Sequence, residues 1–183
     1  MELQARIDLE IVRTSAGDFP DGWQRLSCNL LQSPRSRSWK PLRHVRKKGG
    51  VYAFLFPEVH FAEDRQIQLD GPARRLIPFH FSTRNHPPVG GYFVAYVGKA
   101  SNLLQRLQWH FNLAQSTTVA QVQFGLIKSG ISRDRHEAVE FMLQHGQIVY
   151  REFSGDTHVA NRDLIEMSIF AKFAPPFNIK SER

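Results

Sequence analysis

The sequence predicts a single mixed α/β domain in which a small three-stranded sheet is flanked by helices. Three observations support this class. The chain has 183 residues, a length that suits one domain. Its 42% hydrophobic and 22% charged residues are ordinary for a globular protein and exclude disordered, collagen-like and coiled-coil chains. Compact apolar runs and amphipathic helical patterns follow one another in the order β-β-α-α-β-α.

The first 48 residues differ in character from the rest, and we assign them to an N-terminal extension, 1–48. Partial alternation over 5–12 predicts a strand, and 23–31 is predicted to be a short helix. Residues 33–48 are rich in Ser, Arg and Lys, and this composition is typical of a solvated basic arm.

The remaining residues, 49–183, are assigned to the main domain because the strong strand and helix patterns begin there. Strands of apolar residues are predicted over 51–56, 92–97 and 147–153. Helices are predicted over 102–114, 132–145 and 161–173. The first two strands are separated by an irregular insertion, 57–91, with short strands predicted over 66–69 and 76–81.

The chain is basic, with 24 Lys and Arg against 17 Asp and Glu and a net charge of +7. The whole excess lies in the arm, whose cations are Arg35, Arg37, Lys40, Arg43, Arg46, Lys47 and Lys48. A basic arm of this kind favours a polyanionic partner and is expected to bind DNA through its phosphates. A solvated tail that aids solubility stays open as the alternative.

The lone cysteine, Cys28, cannot form an internal disulfide and is predicted to be a small buried apolar residue. No apolar run approaches the length of about 18 residues that a membrane-spanning helix requires. The first ten residues lack the apolar stretch of a secretory signal. We therefore expect a cytoplasmic protein without a membrane partner.

The segment from Tyr96 to His110 is the first candidate site. A strand ends at Gly98, Lys99 occupies the turn, and the following helix carries Arg106 and His110 on one face. Arg and Lys bind phosphate oxygens, and His and Tyr can move protons, so this set suits phosphate chemistry. From the residues alone, a solvated Arg106 and a half-buried packing role for His110 stay open.

A carboxylate, Glu166, is the second candidate, because it shares a helical face with the apolar residues Ile169, Phe170 and Phe173. A carboxylate there must be paired, hydrogen-bonded or bound to a metal. Two interpretations stay open: a structural ion pair with Arg162, and a ligand for a hard cation such as Mg²⁺.

Five elements in order resemble the signature of the GIY-YIG endonuclease family, namely Gly50-Val51-Tyr52, Tyr96-Val97-Gly98, Arg106, Glu166 and Asn178. The run from Tyr96 to Leu107 is similar to the N-terminal nuclease domain of the excision-repair incision subunit. The resemblance covers 49–180. It implies a GIY-YIG nuclease fold, here with a long insertion between the first two strands.

The resemblance also implies roles for the aromatic and basic residues. Tyr52 would be the general base or a water-orienting phenol, with Tyr96 beside it and Lys99 near both. Neighbouring cations would favour the phenolate of Tyr52. Arg106 would hold the scissile phosphate. His110 stands where many members have Tyr and where some restriction endonucleases of the family have His, and it could relay a proton.

The same resemblance makes Glu166 the ligand of a single divalent metal, Mg²⁺ or Mn²⁺, which would stabilise the leaving oxygen. Asn178 would fix the geometry of the site or contact the phosphate. The implied activity is metal-dependent hydrolysis of phosphodiester bonds in double-stranded DNA, of restriction type. Cutting both strands with one site per chain would favour a homodimer on DNA.

Two departures from the family bear on specificity. The 43 residues between Tyr52 and Tyr96 are far more than typical members have. We also expect the chain to lack the C-terminal DNA-binding domain that homing-type and repair-type members usually carry. Sequence recognition would then come from the arm, the insertion or a partner, and the insertion is either a DNA-reading element or a structural flap. Two other functions stay open: a structure-specific repair or recombination nuclease, and a non-catalytic nucleic-acid-binding module.

Overall fold

A four-stranded antiparallel sheet organises the computed structural model, which describes residues 19, 22–31, 39–60, 65–68, 76–79, 89–116, 119–153 and 158–178. The strands are β1 (Gln24–Ser27), β2 (Gly49–Pro57), β3 (Arg65–Gln68), β4 (Leu76–Phe79), β5 (Tyr92–Ala100) and β6 (Gln147–Phe153). The α-helices are α1 (Leu103–His110), α2 (Gln121–Lys128), α3 (Arg135–His145) and α4 (His158–Phe173). Short 3₁₀ helices span Cys28–Leu31, Lys40–Val45 and Glu58–His60.

The sheet has the strand order β1-β6-β2-β5, and β3 and β4 pair separately as an antiparallel ribbon. Strand β2 is central, pairing with β5 on one side and β6 on the other. In this register Tyr52 lies opposite Gly98 of β5 and Tyr150 of β6. The candidate tyrosine is therefore held in the middle strand, where backbone pairing on both sides fixes its position.

Helices cover both faces of the sheet, so the strands separate two apolar cores. The first core contains the side of β2 that carries Tyr52, Phe54 and Phe56, together with residues of α1, α2 and α3. The second contains the opposite side of β2 with Val51, Ala53 and Leu55, and residues of α4. Because both sides of β2 are buried, its sequence is a continuous apolar run and not an alternating one.

A β-bulge in β5 determines which side of the sheet receives Tyr96. The pairing shifts between Phe54 and Leu55, so that Phe54 faces Tyr96 while Leu55 faces Val94, and Ala95 is the extra residue. Ala95 and Tyr96 consequently both belong to the first core, whereas Val94 and Val97 belong to the second. The bulge thus turns Tyr96 toward Tyr52.

The prediction of a three-stranded sheet is wrong by one strand. Residues 24–27 form β1, which pairs with β6, and a 3₁₀ turn follows over 28–31 where a helix was predicted over 23–31. Only Leu26 of this strand is buried. The segment is an edge strand stabilised by backbone pairing, so its side-chain pattern carries little signal.

The predicted helix order lacks α2. This helix contains Gly125, a residue that weakens a helix by about 1 kcal/mol and therefore argues against one in the sequence. A side chain at this position would collide with the ring of Phe177, so the close packing of the C-terminal segment explains the glycine. The other strands and helices that were predicted within the described residues are present, with bounds shifted by a few residues. Cys28 is fully buried, as predicted.

The solvated arm predicted over 33–48 is packed in its second half. Lys40–Val45 forms a 3₁₀ helix that buries Leu42 and Val45 in the first core, and the carbonyl of Lys48 accepts a hydrogen bond of 2.9 Å from the N–H of Leu103. The charged side chains of this half remain exposed. Arg35, Arg37 and the predicted strand 5–12 lie outside the described residues.

None of the helices among the described residues is long and apolar enough to cross a membrane.

Candidate functional site

The turn from β5 into α1 positions most of the predicted site. The side chain of Asn102 caps α1 by accepting a hydrogen bond of 3.2 Å from the N–H of Gln105. The helix then places Arg106 and His110 one turn apart on the face that packs against β2. The sequence pattern of strand, turn and helix is thus confirmed, although the helix ends at His110 and not at residue 114.

The hydroxyl of Tyr52 is the centre of a hydrogen-bonded cluster. The Nε–H of Arg106 donates to it over 3.2 Å, and the Nε2 of His110 lies 2.8 Å from it. The rings of Tyr52 and Tyr96 have their centroids 6.0 Å apart, and Arg106 also interacts with Tyr96. Four of the residues predicted for the site, Tyr52, Tyr96, Arg106 and His110, therefore lie together.

The missing side chain of Gly98 makes room for this cluster. A Cβ atom at that position would lie 2.7 Å from the Tyr52 hydroxyl and 2.9 Å from the ring of Tyr96. Real Cβ atoms do not approach other atoms so closely, so any larger residue would displace both tyrosines. The glycine of the second tripeptide is explained by this contact.

Burial controls the proton on Tyr52. The residue is fully buried, and this burial raises the pKa of its hydroxyl well above the ordinary value of 10.0. Tyr96 adds to the rise, whereas the charge and hydrogen bond of Arg106 lower the pKa by less. Arg106 favours the phenolate, as expected of a neighbouring cation, but burial outweighs it, and Tyr52 is a protonated phenol at neutral pH.

His110 is the complementary group of the cluster. It is fully buried, and burial together with the charge of Arg106 lowers its pKa well below 6.5, so the imidazole is neutral. The rings of Tyr52, Phe54 and Tyr96 surround it. Its Nδ1 is buried without a hydrogen-bond partner among the described residues. The imidazole is thus an uncharged group whose Nε2 lies within hydrogen-bonding distance of the Tyr52 hydroxyl.

Lys99 lies on the opposite side of the sheet from this cluster. Its Nζ is 2.9 Å from a carboxylate oxygen of Asp163 and 3.0 Å from one of Glu166, both on α4. These hydrogen bonds outweigh the effect of burial and raise the pKa of Lys99. The expectation that Lys99 lies near Tyr52 and Tyr96 is wrong, because neighbouring residues of a strand point to opposite faces.

Glu166 forms an ion pair, as one of its two interpretations proposed, but the partner is Lys99. The carboxylate is 23% exposed and pairs with Lys99, while the expected partner Arg162 donates a hydrogen bond of 2.6 Å to the carbonyl of Ala100. Asp163, which the sequence reasoning missed, shares the same ammonium group. Its position three residues before Glu166 on a helix is the signal that could have found it.

Asn178 ties the C-terminal segment to the edge strand β5. Its Oδ1 accepts from the N–H of Val97 over 3.0 Å, and its Nδ2 donates to the carbonyl of Val97 over 2.7 Å. The N–H of Phe177 adds a bond of 2.9 Å to the carbonyl of Ala95. The side chain therefore fixes the backbone next to Gly98, in agreement with the predicted structural role.

Two further residues that the sequence reasoning missed hold the end of α1. The buried Gln123 donates to the carbonyl of His110 over 2.6 Å. Arg135 binds the side chain of Gln123 and donates to the carbonyls of Asn112 and Gln115. Together they fix the backbone that carries His110. Such contacts join distant elements, and nothing in their local sequence indicates them.

The carboxylates of Glu166 and Asp163 are the groups that could hold a metal ion. Their oxygens converge on one positive charge, the ammonium of Lys99, which occupies the kind of position that a hard cation takes. The described residues contain no group of three or more His, Cys, Asp or Glu that could hold an ion. Mg²⁺ is commonly bound by one or two carboxylates and retains several waters, so the pair fits this ion.

The basic residues of the second half of the arm differ in their surroundings. Lys48 is paired with Glu152 of β6. Lys40, Arg43, Arg46 and Lys47 are exposed, and Lys47 has a positive φ of 63° in the turn that leads into β2. These four side chains are available to a polyanion.

The comparisons with known proteins give no family for this chain. No family model, no curated protein and no solved structure matches it. The fold is a mixed α/β arrangement with a four-stranded antiparallel sheet and helices on both faces.

Proposed function

We propose that the protein is a metal-dependent endonuclease of GIY-YIG type, which hydrolyses phosphodiester bonds in double-stranded DNA as a restriction enzyme. The observation that carries the proposal is the hydroxyl of Tyr52, held between Arg106 at 3.2 Å and His110 at 2.8 Å. The sequence signature led us to expect these residues to act together, and this contact supports that expectation. The chain would act in the cytoplasm.

In the proposed reaction, a water molecule attacks phosphorus as the bond between phosphorus and the leaving oxygen breaks. The water gives a proton to the oxygen of Tyr52, and the phenol passes its own proton to the Nε2 of His110. The raised pKa of Tyr52 and the lowered pKa of His110 keep both groups uncharged before the step, so the phenol holds a proton to pass on and the imidazole has an unprotonated nitrogen to take it.

Arg106 is the proposed phosphate ligand. It is half-buried next to Tyr52, and its guanidinium is permanently charged and has five donors. Because Tyr52 is fully buried, binding of a phosphate by Arg106 would have to draw the guanidinium outward and admit the attacking water. Arg106 would thus couple substrate binding to the activation of Tyr52.

Glu166, with Asp163 beside it, is the proposed holder of Mg²⁺ or Mn²⁺. When bound, the metal would stabilise the negative charge of the leaving oxygen. Lys99 would have to leave its two carboxylates, and its ammonium would then be free to bind a phosphate. Two chains acting as a homodimer would cut both strands of the duplex.

The proposal is tested by incubating the protein with supercoiled plasmid and with genomic DNA, with and without Mg²⁺. Glu166→Ala is the variant, and Met167→Ala, the neighbouring residue with 67% exposure, is the matched control. We expect discrete fragments that require Mg²⁺, persist in Met167→Ala and disappear in Glu166→Ala. Equal behaviour of Glu166→Ala and the parent would overturn the proposal. Cleavage of branched but not intact duplex would favour a structure-specific repair nuclease.

A further inference from the structure

A pocket of about 540 Å³ opens beside α1, close to the cluster around Tyr52. Its volume lies within the range of about 300–1,000 Å³ that is typical of ligand sites. The lining consists of Trp39, Gln105, Gln108, Trp109, Asn112 and Leu113. Two indole rings and three side-chain amides thus surround a space with no charged group in its lining.

The polar groups of this pocket are available to a ligand. Within the described part of the chain, the side-chain amides of Gln105 and Gln108 and the indole N–H of Trp109 form no hydrogen bond. Trp39 is fixed from behind by an edge contact with the buried Phe111, at 5.6 Å between ring centroids. One aromatic wall is therefore rigid, and the amides of Gln105 and Gln108 are free to bind, whereas the Oδ1 of Asn112 accepts a hydrogen bond from the N–H of Ala114 over 2.9 Å.

The pocket is coupled to the proposed phosphate site through α1. The guanidinium carbon of Arg106 lies 5.9 Å from the centre of the Trp109 ring, and its Nε binds the hydroxyl of Tyr52. Arg106 therefore lies between the pocket and the tyrosine. A nucleotide whose phosphate contacts Arg106 would have its base within reach of Trp109.

The charge around the pocket suits a nucleic acid. The sequence has no Asp or Glu from Gly71 to Arg133, so the whole of α1 and its flanking loops carries no carboxylate. The exposed Lys40 follows Trp39 directly. A phosphodiester chain that passes over this surface meets cations and amides and no like charge.

We propose that this pocket binds an unstacked nucleobase of the strand whose phosphate contacts Arg106. The inference rests on the proposed function and extends it by naming how the substrate strand is held. Aromatic faces stack on bases of any sequence, and Asn and Gln amides form paired hydrogen bonds with base edges. The substrate would then be a duplex that is locally opened, or a strand end, at the cut position.

The test measures binding of a 12-nucleotide single strand with 2-aminopurine at its centre, by anisotropy and base fluorescence, in buffer without divalent metal. A second strand of the same length carries abasic sugars in place of the nucleotides. The proteins are the parent, Trp109→Ala, Trp109→Phe and Gln108→Leu, with Met167→Ala as control on the opposite face of the sheet.

We expect Trp109→Ala to bind the base-containing strand about 5- to 150-fold more weakly than the parent, the loss typical of one base–aromatic stack. Trp109→Phe keeps an aromatic face and should retain most of the affinity, and Gln108→Leu should lose an intermediate amount. All variants should bind the abasic strand as the parent does. The parent, but not Trp109→Ala, should quench the 2-aminopurine.

Unchanged affinity of both Trp109→Ala and Gln108→Leu for the base-containing strand would overturn the inference. An equal loss on both strands would do the same, because it would show a site for phosphate and not for a base. These measurements involve no cleavage. Failure of the plasmid assay with normal base-dependent binding would therefore refute the proposed hydrolysis alone, whereas cleavage with unchanged affinities would refute the pocket alone.

Discussion

The two sides of the sheet carry two chemically different clusters, although one strand, β5, supplies Tyr96 to the first and Lys99 to the second. On one side, Tyr52 and His110 are fully buried with the half-buried Arg106. On the other, Lys99 and Asp163 are 42% and 46% exposed and pair as ions. Burial, and not residue type alone, therefore decides whether a side chain is neutral or charged at neutral pH.

The two clusters should also differ in how much they contribute to the free energy of folding, because one is buried and the other exposed. In the buried cluster a lost hydrogen bond leaves a polar atom without water to replace its partner, so the penalty is large. In the exposed cluster water and salt screen the ion pairs, so each contributes little to folding. The buried side should therefore dominate stability, while both sides are needed for the proposed reaction.

The largest expected effect on stability is that of Tyr52→Phe. The variant leaves Arg106 Nε and His110 Nε2 without their shared partner, and we expect a loss of about 1–3 kcal/mol in the free energy of unfolding. Tyr150→Phe is the matched control in the adjacent strand, because its hydroxyl bonds to the exposed side chains of Gln24 and His44. Urea unfolding measures both variants, and equal losses would contradict the contrast.

The next effect concerns pH and the buried imidazole of His110. Below about pH 6.5 the unfolded chain binds a proton at this residue, while the folded chain, with its lowered pKa, does not. The free energy of unfolding therefore loses nothing to this residue above about pH 6.5, and it falls by up to about 1.4 kcal/mol per pH unit below that pH. The other titratable groups that face this imidazole are Tyr52, Tyr96 and Arg106. The pKa values of Tyr52 and Arg106 are raised, so both keep their protons in this range.

Unfolding measured between pH 7.5 and 5 checks this prediction. His110→Gln should show a smaller decrease in stability on acidification than the parent. His136→Gln, in which an exposed histidine of α3 is replaced, should behave as the parent does. The same decrease in His110→Gln and the parent would show that the buried imidazole is not the source.

A smaller effect is expected from Lys99→Gln on the exposed side. Because the ammonium and the Asp163 carboxylate are both more than a third exposed, loss of the pairs should change the free energy of unfolding by less than about 1 kcal/mol. The difference from the parent should shrink as salt is added. Urea unfolding at low and high salt gives both values, and a loss as large as that of Tyr52→Phe would remove the distinction between the two sides.

The smallest effect per residue should come from the exposed cations that precede β2. Arg43→Gln, Arg46→Gln and Lys47→Gln leave the buried Leu42 and Val45 in place, unlike a deletion of the segment. Each phosphate contact that is lost should reduce the slope of log affinity against log salt by about 0.9. Binding of a DNA duplex measured at several salt concentrations gives the slope, and an unchanged slope would exclude these side chains from the interface.

The sequence was sufficient for the parts of the molecule that depend on local pattern. The apolar runs of β2, β5 and β6 and the stripe of α1 were predicted because burial of those residues is continuous or periodic. Strand β1 was missed because backbone pairing with β6 holds it while its side chains show no period. Helix α2 was missed because its Gly125 is unfavourable in a helix, and the reason for the glycine is a contact with the ring of Phe177, which is distant in the sequence.

In the candidate site, too, some contacts could be predicted from the sequence and others could not. The approach of Tyr52 to Arg106 and His110 agrees with what the signature implies. The pairing of Lys99 with α4 depends on which face of the sheet Lys99 occupies, and the bulge at Ala95 decides this. The sequence pattern does not reveal the bulge. The raised pKa of Tyr52 depends on complete burial, which a list of neighbouring cations could not predict.

The most direct test of the central claim is the single-turnover cleavage rate, with Mg²⁺, of the parent, Tyr52→Phe, Glu166→Gln and the double variant. In the proposed function, both sides of the sheet act on one phosphodiester. Each single variant should then lose most of the activity, and the double variant should be no slower than the slower single one, as for residues that act as a unit. Losses that multiply in the double variant would contradict this joint action, and a parent that cuts no DNA with Mg²⁺ would contradict the proposed function.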